Sequence, residues 1–181
     1  MYLLTLMSSL LISINGFGFP VASQNFTNTN ISTTTCSKDD CFQNGWVTKA
    51  PNTHHRTRCT EGDCLHEGWV TRDMINNYST EVVCDRDGCF NEGWSEYVVH
   101  TGQRVSQVDC GFGEDIEGEE IQDCLQFGWT MDIVNQPTQS IVCLDDNCSE
   151  NGWSIYLGRR QAAEVVCTSA SCFEKGWRVF Y

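Results

Sequence analysis

The chain predicts an all-β fold built as six tandem, disulfide-closed β-hairpin repeats, an antiparallel array that either runs open and head-to-tail or closes into a ring. Three observations carry this. A Cys-x4-Cys-x3-Gly-Trp signature recurs at Cys36/Cys41/Trp46, Cys59/Cys64/Trp69, Cys84/Cys89/Trp94, Cys110/Cys124/Trp129, Cys143/Cys148/Trp153 and Cys167/Cys172/Trp177, with thirteen residues between the cysteines in the fourth copy only. Apolar residues alternate with polar ones after several of the tryptophans, the period of a strand with one buried face. A turn signal separates that strand from a second, β-branched run leading to the next cysteine. All twelve cysteines and all six tryptophans of the 181-residue chain belong to the repeat, which makes it an array.

The Trp strands show the alternation in Trp94, Glu96, Val98; Trp129, Met131, Ile133; Trp153, Ile155, Leu157; and Trp177, Val179, Tyr181. The cysteine strands place Val82, Val108, Ile141 and Val165 two residues before a cysteine, on the same face as it. Between the strands stand Pro51-Asn52, Asn76-Asn77, Thr101-Gly102, Asn135-Gln136-Pro137 and Gly158, residues that suit hairpin loops because Asn and Gly tolerate positive φ and Pro fixes its own. The stretch from each first cysteine to its Gly-Trp is polar and reads as a corner at the rim. A Trp that follows Gly in every copy reads as core, packed against a disulfide or the next repeat, more readily than as a sugar-stacking surface.

A unit of roughly 24 residues is too small to stand without staples or neighbours. An even number of regularly spaced cysteines implies an oxidising compartment. Pairing within each copy uses all twelve identically. The alternative links the second cysteine of one copy to the first of the next, as in Cys41 to Cys59, and leaves Cys36 and Cys172 to meet. Loop entropy, ~2 against ~3 kcal/mol per bond, does not separate the schemes; uniformity favours the local one.

Residues 1–23 read as a signal peptide: Leu3 to Ile14 is apolar, and Val21-Ala22-Ser23 suits cleavage before Gln24. No Lys or Arg precedes the run, so a retained anchor is the alternative, although the run is short for a span. Residues 24–35 form an uncharged Thr/Asn-rich N-terminal strand or arm, and residues 36–181 the cysteine-rich array. The array begins with a lone cysteine strand, 31–36, and ends with a lone Trp strand, 176–181. Unmatched edges seek partners: either they meet in one molecule, or the arm of one copy pairs with the next copy.

The net charge of -13 argues against nucleic acid. Nothing beyond the leader is long and apolar enough to cross a membrane, so no membrane partner is expected after cleavage. Cys59, Cys64 and His66 resemble part of a zinc site, but the His position is not repeated in other copies, and disulfides are the better reading. His54, His55 and His100 read as exposed polar residues. The insert 111–123 holds Glu114, Asp115, Glu117, Glu119, Glu120 and Asp123, which could collect calcium but lack the spacing of a helix-loop-helix site; a solvated acidic loop or partner site is the simpler reading. No other cofactor is implied. Sequons stand at Asn25, Asn30, Asn77 and Asn147. No nucleophile elbow or metalloprotease motif occurs, so an enzyme is not expected. The construction points to a secreted structural or adhesive protein, glycosylated and joined head-to-tail to copies of itself in an extracellular filament or matrix. The alternative is a monomeric secreted binding module for an unknown extracellular ligand: lectin-like, inhibitor-like or a receptor ligand.

Overall fold

A computed structural model describes residues 31–86, 88–114 and 117–181. Twelve strands form one closed antiparallel barrel. In chain order they are β1 (Ile31–Cys36), β2 (Trp46–Ala50), β3 (Thr53–Cys59), β4 (Trp69–Asp73), β5 (Tyr78–Cys84), β6 (Gly93–Val98), β7 (Arg104–Cys110), β10 (Trp129–Ile133), β11 (Gln139–Cys143), β12 (Trp153–Leu157), β13 (Arg160–Cys167) and β14 (Gly176–Phe180). A two-stranded excursion, β8 (Phe112–Glu114) and β9 (Glu120–Gln122), occupies the insert of the fourth copy. The expected hairpins are present, with each Trp strand folding back onto the cysteine strand that follows it.

The unmatched ends meet in one molecule. β1 pairs with β2 on one side and with β14 on the other, in the register Ile31↔Phe180 to Thr35↔Gly176. Closure leaves the barrel without an edge. All six disulfides join the cysteines within one copy, Cys36–Cys41, Cys59–Cys64, Cys84–Cys89, Cys110–Cys124, Cys143–Cys148 and Cys167–Cys172, with Cα separations of 4.3 to 4.6 Å. Each fixes a corner between two hairpins at the same mouth of the barrel.

The corners are more ordered than a polar rim. Five carry a one-turn helix: α1 (Cys41–Asn44), α2 (Cys89–Glu92), α3 (Cys124–Phe127), α4 (Cys148–Asn151) and α5 (Cys172–Lys175). In four of these five the side chain of the residue before the second cysteine caps the turn, Gly88 before α2 being the exception. Asp40 accepts from the backbone of Phe42 and Gln43, Asp123 from Leu125 and Gln126, Asn147 from Ser149 and Glu150, and Ser171 from Phe173. Asp63 does the same for Leu65 and His66 in the second corner. These caps satisfy amides that the short turn leaves without partners.

Gly before Trp ends every corner and has one mandatory geometry. Its φ lies between 72° and 123° in all six copies. A Cβ there would stand 2.1 to 2.2 Å from a carbonyl oxygen of the adjacent cysteine strand: Thr57 for Gly45, Val82 for Gly68, Val108 for Gly93, Ile141 for Gly128, Val165 for Gly152, and Thr34 for Gly176. The last contact is the ring seam. Those same six residues are the Cα partners of the following tryptophans, so close backbone approach and Trp placement are one feature.

Replacing Gly176 with Ala is expected to cost ~3 kcal/mol or more, a positive-φ penalty of ~1–2 plus displacement of the seam carbonyl. Gly102→Ala, with φ 66° and open space around it, should cost only the backbone share, ~1 kcal/mol. Urea midpoints of the two variants check this; equal losses would mean that the close approach carries no energy.

Candidate functional site

The barrel interior is the first place to seek chemistry. Its corner half is filled by indoles. Trp46, Trp69, Trp94, Trp129, Trp153 and Trp177 are each at most 4% exposed, and neighbouring rings lie 5.5 to 6.3 Å apart in an unbroken circle, Trp177 returning to Trp46 at 6.1 Å. Most contacts are tilted and none is the face-to-face sandwich that aromatic quadrupoles disfavour. The indole N–H groups of Trp94, Trp129 and Trp177 have no protein acceptor, so packing rather than hydrogen bonding holds that part of the circle. Phe42, Phe90 and Phe173, each next to a second cysteine, meet one another at 4.1 to 6.3 Å, and Phe90 and Phe173 also pack on the tryptophans. The indoles are core, and none offers a face to a sugar.

Below the indoles the interior divides by chemistry. The first three copies contribute buried Ser32, Thr34, Thr48, His55, Thr57, Thr71, Asp73, Thr80 and Glu96, with Val82 and Val98 as exceptions. The later copies contribute Val108, Met131, Ile133, Ile141, Ile155, Ala163, Val165 and Val179, with Ser106 and Gln139 as exceptions. Equivalent cross-strand positions show the gradation: Thr34 bonds Thr48 through their hydroxyls at 2.7 Å, and Thr57 bonds Thr71 at 2.9 Å. At the same places farther round stand Ile141↔Ile155 and Val165↔Val179. Paired hydroxyls satisfy each other, which is how a Thr pair replaces an aliphatic pair inside a barrel.

His55, expected to be exposed, is 1% exposed, because it faces inward from β3, the strand its hairpin turn leads into. His54, its neighbour, is half-buried and His100 is exposed. His55 Nε2 lies 3.6 Å from Asp73 Oδ2. Asp73 Oδ1 accepts from the backbone N–H of Ile75 and Asn76 at 2.7 and 3.0 Å, and Oδ2 from the Asn76 side chain at 2.7 Å. Burial pushes the Asp73 carboxyl up, yet these hydrogen bonds and the nearby His55 outweigh it and hold the group below its ordinary value. Its lone pairs shape the β4–β5 loop. The couple builds a turn and is closed to solvent.

Glu96 follows Trp94 by two residues on β6, so the alternation turns it inward. It is buried, and desolvation lifts its pKa to about 8 despite a hydrogen bond from Thr80. Burial and the Glu96 charge together raise Tyr78. Tyr181, half-buried near Ser32 at the seam, is pushed up to about 12 by desolvation.

The other singled-out residues are placed as follows. Every cysteine of the Cys59/Cys64/His66 group's repeat is disulfide-bonded. His66 is exposed and bonds Asp63 at 2.9 Å, and that hydrogen bond is the main cause holding Asp63 low. In the insert, Glu114 and Glu120 are exposed and directly opposite on β8 and β9, while Asp123 is spent on capping α3. Asp115 lies outside the described residues. Among the described residues no three His, Cys, Asp or Glu side chains converge on a metal position. Asn77 is exposed in the β4–β5 loop at φ 52°; Asn147 caps α4. Asn25 and Asn30, the leader 1–23 and the first residues of the arm lie outside the described residues. Comparison of the chain with protein-family models, curated proteins and solved structures gives no match.

The buried Glu96 makes a pH prediction. Its folded pKa, about 8, exceeds the 4.5 of an exposed Glu, so between those values the folded state holds more protons than the unfolded one and stability falls as pH rises. The loss is complete above pH 8. Glu96→Gln, which stays neutral, should be more stable than the native chain at pH 9 by a few kcal/mol, with the gap closing near pH 5. Urea titrations at both pH values test it; a gap that does not change with pH would refute burial as the cause.

Proposed function

We propose that the protein is a secreted structural and adhesive component, a subunit that joins copies of itself in an extracellular filament or matrix. The observation that carries this reading is the stapled ring: twelve strands close on themselves, each of the six corners holds a disulfide, and the corner half of the bore is filled with indoles. Such a body resists unfolding and proteolysis and spends its interior on packing. Its outer surface is what meets partners. The apolar leader 1–23 and the disulfides support export, and exposed Asn77 is the sequon best placed for a glycan. No helix among the described residues is long and apolar enough to cross a membrane.

Joining through the arm takes a specific form in this fold. Because β1 already pairs with β14 and β2, a head-to-tail link uses exchange: β1 of one copy occupies the place between β14 and β2 of the next, in the same register. Exchange of an identical element needs no new interface chemistry. The competing reading is a monomeric binding module, and the same seam favours it, since the closed ring consumes both unmatched strands.

Cysteines at the Cα partners Thr33 and Arg178 distinguish the two. In the exchanged assembly the variant gives a ladder of linked chains on non-reducing gels, and the native protein sediments as oligomers. A cross-link confined to single chains, with a monomer at high concentration, would reject the assembly reading in favour of the binding module.

A further inference from the structure

We propose that the outer face of β2, β3 and β4 is a docking surface for the β8–β9 hairpin of a second copy of this chain. The inference rests on the reading of the protein as an assembling subunit and adds a surface to it.

The face is basic on an otherwise acidic protein. Of eleven Lys and Arg in the chain, Lys49, Arg56, Arg58 and Arg72 stand exposed on these three neighbouring strands, with half-buried His54 opposite Lys49. Arg56 and Arg72 are direct cross-strand partners, an arrangement that is unfavourable in isolation because like charges face each other. Among the described residues none of the four forms an ion pair with a carboxylate; Arg72 donates instead to the Asn77 side chain. Val47 opposite Arg56 and Val70 opposite Arg58 put half-buried apolar side chains between the cations. Glu81, opposite Val70 on β5, marks the border.

The hairpin carries the complementary set. Glu114 and Glu120 form the mirror-image mismatch, two exposed carboxylates directly opposite. Phe112, two residues before Glu114 and therefore on the same face, is 64% exposed, the highest value among the large apolar side chains of the described residues. A Phe edge among Val47, Val70 and the guanidinium planes, with Glu114 and Glu120 against Arg56 and Arg72, relieves both mismatches and covers the ring.

The hairpin cannot deliver this to its own molecule. It leaves the barrel between β7 and β10, with β5 and β6 between β7 and the basic face. It is also tied down: Gln122 donates to the carbonyls of Glu92 and Cys110 at 3.2 and 3.0 Å, and Gly113 lies against the Phe127 ring so closely that a Cβ would overlap it. Donor and acceptor surfaces on different parts of one ring make a heterologous contact, which propagates from copy to copy.

Two charge reversals test the contact in the full chain. R56E/R72E and E114K/E120K should each lower the association constant at least about tenfold in sedimentation velocity, and raising NaCl from about 50 to about 300 mM should weaken the native association similarly. Mixing the two variants in equal amounts should restore assembly to within about threefold of native, because the Lys hairpin then meets the Glu face and the Glu hairpin the native basic face. Phe112→Ser should also weaken association about tenfold. Near-UV circular dichroism of the indoles verifies that each variant is folded. Native-like assembly of either variant alone, or no recovery on mixing, overturns the docking surface while the assembly reading stands. A native protein that remains monomeric at low salt overturns both.

Discussion

The structure depends on one close approach, a glycine pressed against a carbonyl of the neighbouring strand. Only a residue without Cβ can occupy a position where that atom would lie 2.1 to 2.2 Å from oxygen, and only glycine takes the accompanying φ at little cost. The tryptophan that follows is thereby delivered to the interior opposite the same residue. The glycine carbonyl then accepts a hydrogen bond from the residue after the first cysteine, as in Ser37 to Gly45 and Thr168 to Gly176. Disulfide, corner and indole are set by a single backbone event repeated six times.

Above that skeleton the copies differ, and the differences follow hydrogen-bond bookkeeping. Thr pairs stand inside the barrel where two hydroxyls satisfy each other, and aliphatic pairs stand where they do not need to. Glu96 occupies one of these inner positions and remains protonated up to about pH 8; a neutral acid with Thr80 beside it is tolerable in a place where a carboxylate is not. The interior thus grades from polar to apolar around one circle without disturbing the indole layer above it.

Much of this was legible in the chain. Uniform spacing pointed to local disulfides, the Gly-Trp recurrence to a tryptophan core, and the Asn, Gly and Pro positions to the hairpins. Closure stayed open because the pairing of 31–35 with 176–180 spans the whole chain and no local pattern encodes which of two equivalent partners an edge selects. The four-residue corner helices are too short to show a helical period, although Asp40, Asp63, Asp123, Asn147 and Ser171 before the second cysteine are capping residues by chemistry. His55, a polar residue expected at the surface, faces the interior because strand parity with Thr57 on β3 turns it inward. The pairing of Glu114 with Glu120 was hidden inside a segment that composition alone marks only as acidic.

The seam between Ile31 and Phe180 bears on how such a chain can evolve. An open solenoid grows or shrinks by one unit with little consequence, because each unit answers only to its neighbours. Here strand number, tilt and bore are linked geometrically, and six indoles fill the circle edge to edge. Adding or losing a unit would change the circumference and leave the aromatic layer crowded or hollow, so the number of copies is quantised by closure while their loops and outer faces stay free to diverge.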